Sequence, residues 1–128
     1  MQQIVDKVLE LPQGSRFMVM APLVRGRKGE HMRVLDDMRR AGYVRMFIDA
    51  EVRTLDEDIR LEKNKKHSLS VVIDRLAVRE GIRQRLTDSV ETALKLADGF
   101  AEVATLGEAT ETQLFSEHFA VSYTHLTL

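Results

Sequence analysis

The chain has 128 residues, of which 44% are hydrophobic and 30% are charged, a composition that suits one globular domain with a modest core. It contains no cysteine, which excludes disulfides and thiolate metal sites within these residues. No apolar run is long enough to span a bilayer, and the N-terminus lacks the order of a signal peptide, so we expect a cytoplasmic protein without membrane contact.

The net charge of −1 conceals a segregation of charge along the chain. Residues 25–45 hold seven basic and three acidic side chains, whereas residues 49–62 hold six acidic and two basic ones. Residues 98–118 hold five acidic side chains and no lysine or arginine. Blocks of both signs favour a charged protein partner over bare nucleic acid, which would favour one basic face. The alternative is that these blocks are solvated faces of an ordinary protein.

The first half of the chain predicts two helices and three strands. Apolar residues at helical spacing indicate a first helix, which Pro12-Gln13-Gly14 ends. Residues 17–24 are typical of a buried strand, and Pro22 should mark its end or an exposed edge. A second apolar stripe over residues 32–41 predicts a helix with Gly42 as its left-handed cap. Residues 43–48 then alternate as a strand does, and residues 51–55 are expected to pair with it.

The second half predicts a hairpin, a long helix and two closing strands. Residues 59–61 begin the hairpin, residues 63–66 form its exposed tip, and residues 69–73 return. The strongest helix covers residues 82–97 and stops at Gly99, and residues 100–106 and 114–120 are strands joined by an acidic loop. Helices and strands mix without strict alternation. The pattern therefore predicts an α+β fold: a single small domain with a mixed or antiparallel sheet and about three helices.

Two arginines at the ends of short apolar strands are the strongest candidates for a binding site. Arg45 lies in the strand of residues 43–48. Arg75 is the last residue of a second strand, directly after Val72-Ile73-Asp74. A strand fixes the backbone beneath a side chain, so a planar guanidinium there can bind a carboxylate as a fork. This predicts a docking surface for acidic groups. The spacing leaves open an internal salt bridge instead, for instance with Asp49 or Asp74.

Two basic segments carry a second hypothesis, a nucleic-acid module that contacts the phosphate backbone. Residues 25–28 are followed by Gly29 and a helix start, where free amides can hold an anion, although their order is not that of a nucleotide P-loop. Residues 63–66 form the other segment. The alternatives are a solvated basic turn and a lysine tip that prevents edge pairing. Four cations are candidate contacts with the partner or with DNA: Arg27, Lys28, Lys65 and Lys66.

No group of residues points to a reaction. The four histidines (His31, His67, His118 and His125) form no zinc-binding pair, and Asp56-Glu57-Asp58 lacks the later residues of an EF-hand loop. No Ser-His-Asp set can be assembled from the spacing. We therefore expect neither an enzyme nor a metal site in this chain.

Five motifs in order carry a resemblance to a known family. They are Phe17-Met18-Val19-Met20-Ala21-Pro22, Arg27-Lys28-Gly29-Glu30-His31, Gly42-Tyr43-Val44-Arg45 with Ile48-Asp49, Leu61-Glu62-Lys63-Asn64-Lys65-Lys66-His67 with Val72-Ile73-Asp74-Arg75, and Arg85-Leu86-Thr87-Asp88-Ser89-Val90-Glu91-Thr92-Ala93-Leu94. Over residues 2–120 the chain resembles the UvrB-binding, or UvrA interaction, domain of the UvrA family. That domain is an insert in the first ATP-binding cassette of the damage-sensing subunit of the bacterial excinuclease ABC.

The resemblance implies a docking domain, without activity of its own, that recruits UvrB in nucleotide excision repair. Arg45 and Arg75 stand where the family places arginines that pair with acidic groups of UvrB. The full-length family is implied to be a homodimeric, zinc-containing ABC-type ATPase that finds distorted DNA. No Walker A, Walker B or ABC signature sequence occurs here, so the resemblance assigns neither ATP nor zinc to these residues.

The end of the chain departs from the family pattern. After Phe119-Ala120 the family continues with a Cys-x-x-Cys zinc pair, whereas this chain continues Val121-Ser122-Tyr123-Thr124-His125-Leu126-Thr127-Leu128. This octapeptide is similar to translated sequencing-adapter read-through. We therefore expect a gene fragment in which residues 1–120 are the interaction domain, residues 121–128 are a non-native tail, and Met1 is an internal start.

Overall fold

The computed structural model describes residues 1–117 and the backbone of residues 122–126. Within these ranges it has three helices and seven strands. In chain order they are α1 (Gln2–Leu9), β1 (Arg16–Lys28), α2 (Met32–Arg40), β2 (Arg45–Ile48), β3 (Glu51–Thr54), β4 (Lys66–Ala77), α3 (Arg83–Leu96), β5 (Phe100–Leu106), β6 (Glu111–Ser116) and β7 (Ser122–Leu126). None of the described helices has both the length and the apolar character needed to cross a membrane.

The chain divides into two compact units: unit 1 contains Met1–Ala21 and Ile73–Leu128, and unit 2 contains Pro22–Val72. Strands β1 and β4 each have residues in both units. The strand order is β4-β1-β5-β6-β7 in unit 1 and β3-β2-β4 in unit 2. Five pairs of strands are antiparallel: β1 with β5, β5 with β6, β6 with β7, β2 with β3, and β2 with β4. The α+β fold with an antiparallel sheet is therefore confirmed.

The core of unit 1 lies between its helices and its sheet. Helix α3 contacts both α1 and β5. The apolar stripe predicted for α3 is buried at Leu86, Val90 and Ala93, because residues three and four apart share one face of a helix. Exposed Arg83 also joins α3 to α1, since its guanidinium donates hydrogen bonds to Gln2 (2.9 Å) and Asp6 (2.7 Å).

Helix α2 and strands β2 and β4 all contribute buried apolar residues to the core of unit 2. Helix α2 buries Leu35 and Met38 and ends as predicted at Gly42, whose φ is +90°. The Gly42 N–H donates to the Arg39 carbonyl (3.1 Å), and the Tyr43 N–H donates to the Met38 carbonyl (3.1 Å). These two bonds are those of a Schellman motif, which satisfies the last carbonyls of a helix.

Strand β1 corrects two expectations. It continues past Pro22 to Lys28, so residues 25–28, for which the sequence suggested a basic turn, belong to the strand. The pairing of β1 with β5 ends at Met20, two residues before the proline, so the missing N–H of Pro22 breaks no bond to β5. Gly26 has a φ of +59° within the strand, and its N–H donates to the Ser68 hydroxyl (3.0 Å).

The hairpin predicted from residues 59–61 is wrong. Residues 59–61 are not in a strand, although residues 63–64 do form an exposed turn as expected. Strand β4 instead pairs with β2, with Ile48 opposite Leu69 and Met46 opposite Val71. Buried apolar residues of β2 give β4 cross-strand partners that the acidic segment before residue 63 does not offer. The predicted pairing of residues 51–55 with β2 is confirmed by β3.

The C-terminal strands follow the prediction in part. Strand β5 has the predicted bounds, and β6 begins three residues earlier than expected, at Glu111. The predicted end of that strand at residues 118–120 lies outside the described residues. The backbone of residues 122–126 pairs along β6 as β7, from Ser122 opposite Phe115 to Leu126 opposite Glu111. The non-native origin expected for residues 121–128 stays a prediction.

Candidate functional site

Arg45 begins β2 in unit 2, and its half-buried side chain has no carboxylate partner among the described residues. The residue lies opposite Thr54 of β3, and Phe47 lies opposite Val52. Because side chains alternate along a strand, these four residues share one face of the β2–β3 pair. Val52 is 48% exposed on that face. An unpaired guanidinium therefore stands beside an exposed apolar side chain.

Asp49, the internal partner considered for Arg45, is bound elsewhere. Its carboxylate accepts a hydrogen bond from His67 Nδ1 (2.7 Å) and another from the Ser68 backbone N–H (2.8 Å). The second ring nitrogen of His67 lies 2.8 Å from the Glu62 carbonyl oxygen. Both neighbours of the buried imidazole are acceptors, so the doubly protonated ring fits this position. The hydrogen bond to Asp49, followed by the one to Glu62, raises the pKa of His67 above 6.5 although burial opposes it.

Arg75 lies near the end of β4 in unit 1, and its guanidinium is exposed. Its internal candidate partner, Asp74, accepts two hydrogen bonds from Arg85, through Nε (3.0 Å) and Nη2 (2.8 Å), and one from the Ser89 hydroxyl (2.9 Å). Arg75 contributes only its backbone N–H, at 2.9 Å. Burial alone would raise the pKa of Asp74, but the bonds from Arg85, Ser89 and this N–H outweigh it and lower the pKa.

Arg75 is one wall of an open groove in unit 1 with a volume of about 340 Å³. The lining residues are four arginines and five apolar residues: Arg16, Arg75, Arg79, Arg85, Phe17, Leu76, Ala77, Ile82 and Leu106. Each of the four arginines is exposed. Arg85 is paired with Asp74, whereas the other three guanidinium groups have no acidic partner in the described part of the chain. The groove is therefore a cationic site with an apolar floor.

The two basic segments predicted from the sequence meet in unit 2. The bond from Gly26 to Ser68 holds the end of β1 beside the start of β4. Arg27, Lys28 and Lys66 are exposed, and within residues 1–117 no carboxylate pairs with them. Lys65, the fourth candidate cation, forms an ion pair with Glu62 (3.1 Å).

The histidines do not gather into a metal site within the described residues, where no group of three or more metal-ligating side chains is found. His31 caps α2 with a left-handed backbone, and its Nε2 lies 2.9 Å from the Arg27 carbonyl oxygen. The rings of His31 and His67 meet edge to face at 6.2 Å. His118 and the side chain of His125 lie outside the described residues.

Comparison with known proteins identifies the family. Residues 1–107 match the family described as the UvrA interaction domain. The chain belongs to this family. Among its relatives are proteins named UvrABC system protein A from Listeria innocua (47% identical over 122 residues), Bacillus subtilis (52% over 119) and Clostridium perfringens (52% over 119). These matches cover 92–95% of this chain but only 12–13% of each relative, so the chain spans about an eighth of their length.

Sequence reasoning found one arginine of the groove in unit 1 and missed the other three. Arg16, Arg79 and Arg85 come from separate segments, and no spacing rule links them. The partner of His67 was also missed, because Asp49 is eighteen residues away in sequence. The one available signal was that Asp49 and His67 each lie in one of the five family motifs.

Proposed function

We propose that this chain is the part of a UvrA protein that docks UvrB in nucleotide excision repair, with Arg45 and Arg75 as the principal cations of the contact. The observation that carries the proposal is the state of these two side chains in a chain of the UvrA interaction domain family. Neither guanidinium pairs with a described carboxylate. The two internal partners considered, Asp49 and Asp74, pair instead with His67 and Arg85.

The chemistry of the contact is charge-assisted hydrogen bonding. An arginine fork binds a carboxylate through two parallel N–H···O bonds, and a strand holds that fork at little further entropic cost. Removing one member of a desolvated charge pair costs roughly 2–5 kcal/mol, whereas exposed rim charges cost less. A loss of about 1.4 kcal/mol in binding free energy weakens affinity tenfold, so removing either principal arginine should weaken binding by at least that factor.

The test is a titration of this chain with UvrB, comparing the wild type with Arg45→Glu and Arg75→Glu. Each substitution should weaken binding at least about tenfold. Arg33→Glu is the matched control, because Arg33 is exposed on α2 and has no described carboxylate partner. Circular dichroism should show that all variants keep the wild-type fold. Unchanged affinity in both Arg45→Glu and Arg75→Glu would remove the proposed role.

Four further activities are proposed for the full-length protein and not for this chain. ATP hydrolysis, zinc binding, homodimer formation and the search for damaged DNA are proposed for the full-length UvrA protein, and the motifs that ATP hydrolysis needs are not in this sequence. The proposed part played by this chain is non-catalytic: it supplies a surface that UvrB recognises.

A second candidate function, contact with the DNA backbone, is favoured by the juxtaposition of the two basic segments in unit 2. Arg27, Lys28 and Lys66 present cations from adjoining strand ends. Duplex DNA binding measured against salt should then have a slope that falls by about one for Lys28→Gln and for Lys66→Gln. Lys95→Gln is the control, since that lysine pairs with Glu91 on α3. Absence of DNA binding at low salt would exclude this function for the chain alone.

A further inference from the structure

We propose that the groove of unit 1 binds an acidic peptide segment in which carboxylates flank an apolar side chain. This inference rests on the proposed docking function for the identity of the protein that carries the segment. It goes further by assigning two more binding residues, Arg16 and Arg79, and by stating the chemistry of the bound segment.

The charge of the groove comes from two arginines on strands and one in the connection to α3. Arg16 is in β1, directly opposite Leu106 of β5, and Arg75 is in β4. Arg79 follows β4 in the segment that leads to α3. All three are exposed, and none has an acidic partner in the described part of the chain. The groove therefore presents three guanidinium groups whose charge is not compensated by a neighbouring carboxylate.

The fourth guanidinium has a different task. Arg85 and Asp74 form a fork of two bonds, and Asp74 also accepts the backbone N–H of Arg75. The carboxylate therefore neutralises Arg85 and fixes the backbone from which Arg75 projects. Asp74 is a positioning residue here, and Arg85 is a wall of the groove and not a free anion receptor.

The floor of the groove selects against a simple anion. Ala77 and Leu106 are half-buried, so each leaves apolar surface open between the arginines, while Leu76 and Ile82 lie buried beneath. Inorganic phosphate would leave this apolar surface wet. A peptide that places an apolar side chain on the floor removes that surface from water and gains free energy in proportion to its area.

A peptide also fits better than a nucleic acid. Proteins that hold single strands usually stack bases on exposed aromatic rings, and the aromatic ring in this groove, Phe17, is 0% exposed. Guanidinium forks bind carboxylates and phosphates alike, so the forks alone do not decide between the two ligands. The open apolar surface and the buried ring together favour acidic side chains on both sides of an apolar one.

The experiment is fluorescence anisotropy of this chain with a labelled short peptide in which a leucine stands between two acidic pairs. Arg16→Gln, Arg75→Gln and Arg79→Gln should each weaken binding at least about fivefold, because each removes one carboxylate partner. Arg33→Gln, the same substitution outside the groove, should leave the affinity unchanged. Replacing the leucine of the peptide by serine should weaken binding about threefold or more.

Competition identifies the source of the anion. Unlabelled peptide should displace the probe at far lower concentration than inorganic phosphate or duplex DNA. Equal displacement by phosphate or DNA would overturn the assignment of a peptide, and an affinity that none of the groove variants changes would overturn the site itself.

A parallel titration with UvrB separates this inference from the proposed function. Arg16→Gln and Arg79→Gln should weaken UvrB binding if the segment belongs to UvrB. If Arg45→Glu and Arg75→Glu weaken UvrB binding but the two groove variants do not, the inference fails and the proposed function stands. If the groove variants weaken peptide binding while no variant changes the affinity for UvrB, the peptide site stands and UvrB docking fails.

Discussion

His67 provides a direct test of what holds unit 2 together. Its ring is 7% exposed and joins the carboxylate of Asp49, at the turn between β2 and β3, to the carbonyl of Glu62, before β4. We expect the interaction between His67 and Asp49 to stabilise the folded chain, and to do so more strongly at acidic than at alkaline pH.

The magnitude follows from the contacts. Hydrogen bonds to charged groups contribute about 1.5–3 kcal/mol each, and the bond between His67 and Asp49 has an ideal length of 2.7 Å. Asp49 is 45% exposed, so water recovers part of the loss when the histidine is removed. We therefore expect a coupling energy of about 1–2 kcal/mol between the two side chains when the imidazole is charged.

The direction of the pH dependence follows from the raised pKa of His67. Below about 6.5, the value for an unfolded chain, the ring is protonated in both states and the stabilisation is fully present. As the pH rises through the higher pKa of the folded state, the ring loses its proton and the stabilisation is lost.

A double-mutant cycle with His67→Gln and Asp49→Asn isolates the pair. Urea unfolding of the four proteins at about pH 5.5 and about pH 9 should give a coupling energy that is at least about 1 kcal/mol larger at the lower pH. An NMR titration should also place the pKa of the His67 ring above that of histidine in the unfolded chain. An equal coupling energy at both values of pH would refute the argument.

Three further predictions concern stability. Asp74→Asn should lower the free energy of unfolding by about 1–3 kcal/mol at neutral pH, because Arg85 loses its charged partner. Since the pKa of Asp74 is lowered, this difference from the wild type in urea unfolding should disappear as the pH falls below about 4. Gly42→Ala should cost about 1 kcal/mol by thermal unfolding, because the added methyl group meets open space but the left-handed backbone is strained; a stabilised variant would contradict this. Leu86→Ala should cost about 2–5 kcal/mol, because that side chain is 0% exposed, whereas Val52→Ala at 48% exposure should cost far less; similar losses in urea midpoints would contradict the description of the core.

Local signals predicted the helices well. Helix α2 ends just before Gly42, the glycine predicted to cap it. Helix α3 lies within one residue of the predicted bounds at each end. Both predictions rest on residues three and four apart and on a cap, which are contained in a short stretch of chain. The wrong hairpin shows the limit of such signals. Which strand β4 pairs with depends on β2, and the order of residues around β4 does not encode that choice.

The candidate site divides in the same way. Their places at the ends of apolar strands made Arg45 and Arg75 candidates, and the family resemblance favoured a partner over an internal salt bridge. Neither side chain has a carboxylate partner in the described residues. The groove could not be selected, because it exists only when β1, β4 and the start of α3 lie together. Its arginines are unremarkable one at a time, and the cluster is a property of the tertiary fold.

The turn between β2 and β3 has a practical consequence for engineering. It has two residues, Asp49 and Ala50, and both have positive φ, +49° and +70°. Hairpins of this kind favour glycine at the second place, and Asp49 is retained at the first by its bonds to His67 and Ser68. Ala50 is therefore strained by its positive φ, and Ala50→Gly should raise the melting temperature. At most places in a folded chain, a substitution by glycine lowers it.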